Sequence, residues 1–338
     1  MNNTDPKYQG YALCKEMLET PEVVRQFNPD RSELLKGFEQ PSHLFLTGEG
    51  SSRIFPAKNA ILNNVAEPWT CLPFSEGATQ GLDIDLSNSL VVGASNSGRT
   101  KEVVRLFDKL KDAGHSSLVG LTAHDDTPLG DRSHACHVLS CGNENAVAAT
   151  KSVVEQAFFV DSLVRYFNKK AVPSLDAVPA GLEKALTYDI PEEIVEKAAQ
   201  APTLYFAGRN NGVAEELTLK TNEITRKKSD FLEGTYGVHG IEEVMEAGDV
   251  LVLVDPFPQE EIKFETCLAK GIGMTVVAIS SRPTRFPTLM VPDLGPWTPM
   301  AELCLGWNLL VEIGIHLGID LDKPERARKV GNEVESNG

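Results

Sequence analysis

Two groups of residues in this chain have types and spacing that could do chemistry. The first is Ser95-Asn96-Ser97-Gly98-Arg99-Thr100, three hydroxyls and an amide side chain around a glycine. It sits between the apolar run Leu90-Val91-Val92 and a segment in which Val103, Val104, Phe107 and Leu110 recur at helical spacing. A helix start carries unpaired N–H groups and a partial positive charge, so a hydroxyl-rich loop delivered there suits a phosphate. The plainer alternative is that Ser97 or Thr100 only caps the helix. The second group is Glu216, Lys220 and Glu223, within one another's reach at three- and four-residue steps of a predicted helix that turns Leu217 and Ile224 inward. Sixteen residues past Glu223 comes His239, in the glycine-flanked run Gly237-Val238-His239-Gly240. A carboxylate kept ionised by a neighbouring lysine can start as a general base, and an imidazole can pass protons beside it. A solvated ion-paired face and a turn histidine are the plainer readings.

The elements that must position these residues follow from the pattern along the chain. Pro6 to Phe27 reads as a helical pair with a break at Thr20-Pro21, and a second helical segment starts at Arg31. His43 to Thr47 is a predicted strand running into Gly48-Glu49-Gly50-Ser51-Ser52, with Ser51 or Ser52 at the mouth of a helix from Ile54 to Val65. After the Ser95 loop come strands at Leu118–Thr122 and Val138–Leu139, then Gly142 to Lys151 leading into a long apolar helix that reaches Phe167. Alternation of this kind predicts an α/β fold, a parallel sheet with helices on both faces. Beyond a linker at 169–183 the order repeats. Leu204–Gly208 parallels Leu44–Gly48 and Val250–Asp255 parallels Leu90–Ser95, both at an offset of 160, and Thr275–Ser280 follows Ser117–Thr122 at nearly that offset. The predicted organisation is a helical lead-in over 1–30, a phosphate-binding domain over 31–170, a second domain carrying Glu223 and His239 over 185–320, and a tail over 321–338. Where the first copy has Ser-Asn-Ser-Gly-Arg-Thr, the second has Asp255-Pro-Phe-Pro-Gln-Glu260. Prolines remove amide donors and carboxylates repel phosphate, so anion binding belongs to the first copy.

Bulk properties narrow the partners. The 338 residues carry 48 acidic and 32 basic side chains, a net charge of −16 that disfavours nucleic acid or an anionic membrane surface. No apolar run is long enough for a membrane span, and MNNTDPKYQG lacks the pattern of a secretion signal, so a cytoplasmic protein is expected. Six scattered cysteines fit a reducing compartment. His134, Cys136 and His137 with Cys141 invite a metal reading, but strand alternation sends His134 and Cys136 to one face and His137 to the other, so no metal centre is expected.

Taken together these residues resemble the tandem sugar-isomerase (SIS) phosphosugar-binding family, which includes the isomerase half of glucosamine-6-phosphate synthase, SIS-type glucosamine-6-phosphate deaminases and deglycases of phosphorylated sugar–amine adducts. The resemblance runs from Glu16-Met-Leu-Glu-Thr-Pro21, similar to the family's Met-x-Glu-x-Pro, to the tail at Asp322-Lys-Pro. Its firmest motifs are Ser95-Asn-Ser-Gly-Arg-Thr100, like Ser-Gln-Ser-Gly-Glu-Thr, and Glu144-Asn-Ala-Val-Ala-Ala-Thr-Lys151, like Glu-x-x-Val-Ala-Ser-Thr-Lys.

The resemblance implies two three-layer, flavodoxin-like domains and a homodimer working without a cofactor on a phosphorylated sugar or amino sugar. Residue by residue it implies that Ser95, Asn96, Ser97 and Thr100, with Ser52, hold the phosphate. Val147 and Ala149 would line the sugar, Lys220 would stand at the substrate, and Glu223 would be the acid–base carboxylate. His239, from the neighbouring subunit, would open the sugar ring, and Lys329 would be the tail lysine that closes over the substrate. Four residues depart from the pattern: Arg99 for an acid, Ala149 for a serine, Tyr236 for a glutamate and Ile241 for a proline. The amidotransferase half of the synthase is not matched, so glutamine-dependent synthesis is not expected. The expected activity is proton transfer between C1 and C2, in an aldose–ketose isomerase or an amino-sugar-6-phosphate deaminase. A deglycase of sugar–amino acid adducts is the alternative, and a non-catalytic sugar-phosphate sensor is the alternative of another class.

Overall fold

A computed structural model of the chain describes residues 1–66, 68–326 and 333–334. It divides into two compact units, each built on one parallel sheet. One holds Val23–Asn143 and Lys151–Ser174 with the tail residues Glu333 and Val334; the other holds Met1–Glu22, Glu144–Thr150 and the chain from Leu175 to Arg326.

The chain opens with α1 (Pro6–Gln9) and α2 (Ala12–Gln26). Contrary to the break expected at Thr20-Pro21, α2 runs through Pro21. Leu13, Met17 and Val24 are buried along it, and that burial outweighs the one backbone hydrogen bond a proline removes. The helix expected from Arg31 is only a set of turns, because the Asp30 carboxylate accepts the Ser32 N–H at 2.9 Å and offers the backbone a local alternative.

The first sheet contains β1 (His43–Gly48), β2 (Leu72–Ser75), β3 (Ser89–Ala94), β4 (Leu118–Thr122) and β5 (Ala135–Val138), in spatial order β2-β1-β3-β4-β5 with every pair parallel. Between them lie α3 (Ile54–Asn64), α4 (Ala78–Gly81), α5 (Lys101–Asp112) and α6 (Pro128–Arg132), and α7 (Lys151–Phe167) follows. Strand alternation splits the core in two. Leu44, Leu46, Leu90 and Val92 pack with Phe159 and Leu163 of α7, whereas Phe45 and Val91 face Val103, Leu106 and Phe107 of α5. His137 on β5 stacks on Phe159 with centroids 4.7 Å apart, while Cys136 on the opposite face lies 3.9 Å from the Thr122 hydroxyl.

Burial, then the Arg31 guanidinium, push the His137 imidazole down to about 4. The folded chain therefore holds His137 neutral where an unfolded histidine, with a pKa of about 6.5, takes a proton. Its stabilising contribution is complete above pH 6.5 and is lost as pH falls towards 4. The urea midpoint of the protein is expected to drop across that window, and by less in His137→Phe; parallel pH profiles for the two proteins would exclude this assignment.

The second unit has α8 (Val178–Leu186), α9 (Glu192–Gln200), β6 (Thr203–Gly208), α10 (Val213–Thr225), β7 (Lys228–Glu233), β8 (Val250–Val254), α11 (Glu261–Phe264), β9 (Thr275–Ser280), β10 (Thr288–Met290) and α12 (Thr298–His316). Its order, β10-β9-β8-β6-β7, is that of the first sheet read from the other edge. The three strand pairs found by sequence offset thus occupy equivalent places in two tandem α/β folds. Among the described residues, no helix is long and apolar enough to cross a membrane.

Candidate active site

In both sheets the chain leaves the first central strand towards one edge and the second towards the other, and such a switch point opens a crevice at the strands' carboxyl ends. In the first sheet that crevice is made by the loops after β1 and β3. Gly48 ends β1 so close to β3 that a Cβ there would stand 2.8 Å from the Ala94 carbonyl oxygen and 3.4 Å from the Ser52 side chain. This close approach sets Ser52 beside the start of the Ser95 loop.

The loop is braced by its own hydroxyls. The Ser95 hydroxyl lies 2.8 Å from that of Thr100 and accepts the Thr100 N–H at 3.3 Å, while the Ser97 hydroxyl accepts the Arg99 N–H at 3.2 Å. Thr100 occupies the N-cap position of α5 and makes no side-chain capping bond, so its hydroxyl is not spent on the helix start. Backbone bonds from Ala123 N–H to the Asn96 carbonyl and from Leu129 N–H to the Gly98 carbonyl tie the loop to the end of β4 and to α6. Glu333 forms an antiparallel bridge with Thr100, and the Val334 N–H donates to the Arg99 carbonyl at 2.8 Å, so the tail runs along this loop. Lys329 lies outside the described residues.

Gly98 adopts φ +65, and a Cβ on it would stand 2.4 Å from that of Thr127. Gly98→Ala should cost about 1–3 kcal/mol through strain and overlap. Where the loop relaxes to relieve that strain, binding has to restore its shape, and inorganic phosphate affinity should fall by about tenfold or more. Urea unfolding and calorimetric titration check the two effects; unchanged phosphate affinity would remove this loop from the reading.

In the second unit α10 carries the Glu216, Lys220 and Glu223 cluster. Leu217 and Ile224 are fully buried, which leaves Glu216, Lys220 and Glu223 on one flank. Lys220 is 1% exposed, with its ammonium 2.7 Å from Glu223 and 3.4 Å from Glu216. Burial works against that charge, but Glu223 and then Glu216 more than offset it and raise the Lys220 pKa above the ordinary lysine value. Glu216 is inaccessible, whereas the Glu223 side chain is 23% exposed and is the carboxylate of the pair that can meet a ligand.

Glu144, whose charge also reaches Lys220, folds back to accept the Thr150 N–H at 2.7 Å and the Thr150 hydroxyl at 3.1 Å. The residues between form neither helix nor strand; Ala146 and Ala148 are buried, and Val147 and Ala149 are half-exposed. Glu16 of α2 accepts the N–H groups of Asn145 and Ala146. Neither Glu16 nor Glu144 was singled out by its residue type. The signal available was their place inside the two quoted motifs, at the head of Glu16-Met-Leu-Glu-Thr-Pro21 and of Glu144-Asn-Ala-Val-Ala-Ala-Thr-Lys151.

His239 stands apart from this group. It lies exposed after a short turn, and its Nε2 is 3.2 Å from the Lys263 ammonium, which can only donate, so that nitrogen is the acceptor. Among the described residues its ring partner is Lys263 and not Glu223.

The second sheet's own crevice is filled from within. Arg209 after β6 pairs with Asp255 after β8, and its guanidinium lies 4.4 Å from the centre of the Phe257 ring. Among the described residues there is no cluster of three or more metal-ligating side chains.

Comparison with known proteins finds similarity in sequence and in fold. The SIS domain family matches residues 77–166. The glutamine–fructose-6-phosphate aminotransferase (isomerizing) of Tropheryma whipplei (strain Twist) is 23% identical over 294 residues, covering 78% of this chain and 48% of that protein. The chain spans about half the length of the curated relatives it matches. Among solved structures, the C-terminal domain of glucosamine-fructose-6-phosphate aminotransferase from Francisella tularensis superposes with a TM-score of 0.79 at 18% identity, over 96% of this chain and all of that one. Glucosamine-6-phosphate deaminase from Thermotoga maritima gives 0.69 at 17% identity, over 94% and 98%.

Proposed function

For a chain that carries a SIS domain within a tandem SIS-like fold, we propose proton transfer between C1 and C2 of a phosphorylated sugar or amino sugar. The observation that carries this reading is the Lys220–Glu223 pair: a buried ammonium 2.7 Å from the one carboxylate of its cluster that solvent reaches. An ammonium so placed holds the Glu223 carboxylate in one position, with its open side free to meet a substrate proton.

In this reading the Ser95–Thr100 loop and Ser52 take the phosphate, which fixes one end of the substrate and lowers the entropic cost of the proton transfer. Glu223 removes the proton from C2 and returns it at C1 through an enediol, or an enolamine if C2 bears nitrogen. In the second case the product is an imine that water cleaves to a ketose and ammonia. His239 assists ring opening. Its exposure, with Tyr236 and Val244 exposed on the adjoining turns and Ile262 exposed on α11, suits a residue supplied to a second copy of the chain.

Hexose and hexosamine 6-phosphates incubated with the protein in deuterated water should lose the C1 or C2 proton signal, and ammonia release separates deaminase from isomerase. Binding without exchange across the panel would make the protein a sensor and overturn the proposal.

A further inference from the structure

We propose that Glu16 is a positioning residue: its buried carboxylate fixes the segment 145–149 so that the backbone around Val147 meets the sugar. The inference rests on the reading above and adds the means by which the sugar-lining segment is held. Residues 144–150 have no helix or strand to satisfy their peptide groups, and buried N–H groups need acceptors. One carboxylate takes two consecutive peptide N–H groups, that of Asn145 on Oε1 and that of buried Ala146 on Oε2, the latter at 3.3 Å. Two charge-assisted bonds to neighbouring amides fix the orientation of both peptide planes, which a single bond would leave free to rotate.

Glu16 is only 3% exposed, so its charge is kept out of water at a cost that a neutral acceptor would avoid. Glu144 closes the other end of the same segment onto Thr150. The stretch is therefore clamped at both ends, and its half-exposed members, Val147 and Ala149, lie between the clamps. The clamped segment packs in the same compact unit as α10, which carries Lys220 and Glu223.

The test compares Glu16→Gln and Glu16→Asp with the parent. The amide keeps the shape but offers one acceptor oxygen and turns an NH2 towards a peptide N–H. For Glu16→Gln we expect inorganic phosphate affinity to stay within about twofold, and hexose 6-phosphate affinity and the C2 exchange rate to fall about 10- to 100-fold, the equivalent of one lost charge-assisted bond. Glu16→Asp, which keeps the carboxylate, should recover part of that loss. Equal loss of both affinities would show a merely structural residue, and no loss of either would show an idle one; each overturns the proposal. Failure of the underlying reading is seen in the parent protein instead, as hexose 6-phosphates that bind no better than inorganic phosphate or exchange no proton.

Discussion

Glu223→Gln should bind a hexose 6-phosphate within about threefold of the parent protein while its C2 proton exchange falls by about 10²- to 10⁴-fold, the range for loss of a general base. The asymmetry follows from where the residue sits. Its carboxylate is held by Lys220 on α10, and the groups proposed to hold the phosphate belong to a different sheet with their own bracing hydrogen bonds. The amide is nearly the same size and still accepts from Lys220, so the fold is little disturbed, but it takes up no proton at neutral pH. Exchange measured by NMR and affinity measured by calorimetry on one preparation give both numbers. A variant that exchanges at the parent rate would remove Glu223 from the chemistry; one that loses binding and exchange together would make it a binding group.

The largest effect on stability should come from the other half of the pair. Lys220→Met is expected to destabilise the protein by about 3–5 kcal/mol, because it leaves the inaccessible carboxylate of Glu216 buried without its cation. Against a total folding stability of about 5–15 kcal/mol that is a large fraction. The double variant Glu216→Gln with Lys220→Met should recover much of the loss, since an amide in the same place has no charge to bury. Urea unfolding of both single variants and the double closes the cycle. A Lys220→Met protein within about 1 kcal/mol of the parent would show that Glu216 takes up a proton there instead of relying on Lys220.

The sequence was most legible where periodicity and chemistry agreed. The central strands β1, β3, β4, β6, β8 and β9 are apolar runs bounded by glycine or polar residues, and their offset exposed the repeat before any geometry was known. The edge strands were harder to see: β2 contains Pro73 and β7 is half polar, as suits strands with one unpaired side. Pro21 misled in the opposite direction, because local propensity cannot weigh the burial of Leu13 and Met17.

At the site, the triad on α10 followed from helical spacing, whereas its internal ranking did not. Spacing alone does not rank the two carboxylates; the resemblance singled out Glu223, and burial separates inaccessible Glu216 from partly open Glu223. The placement of Glu16 against Asn145 joins residues more than a hundred positions apart, and no local pattern encodes such a contact.

The interleaving of the two units bears on how the chain folds as it is made. Residues 1–22 are translated before the partners they pack with, which begin at residue 144 and continue beyond 175. The segment 1–22 therefore waits without those partners while the first sheet is translated and can condense. Early folding is vectorial for the front sheet and deferred for the segment that precedes it. Cutting the gene at the linker would hand each half a piece that belongs to the other.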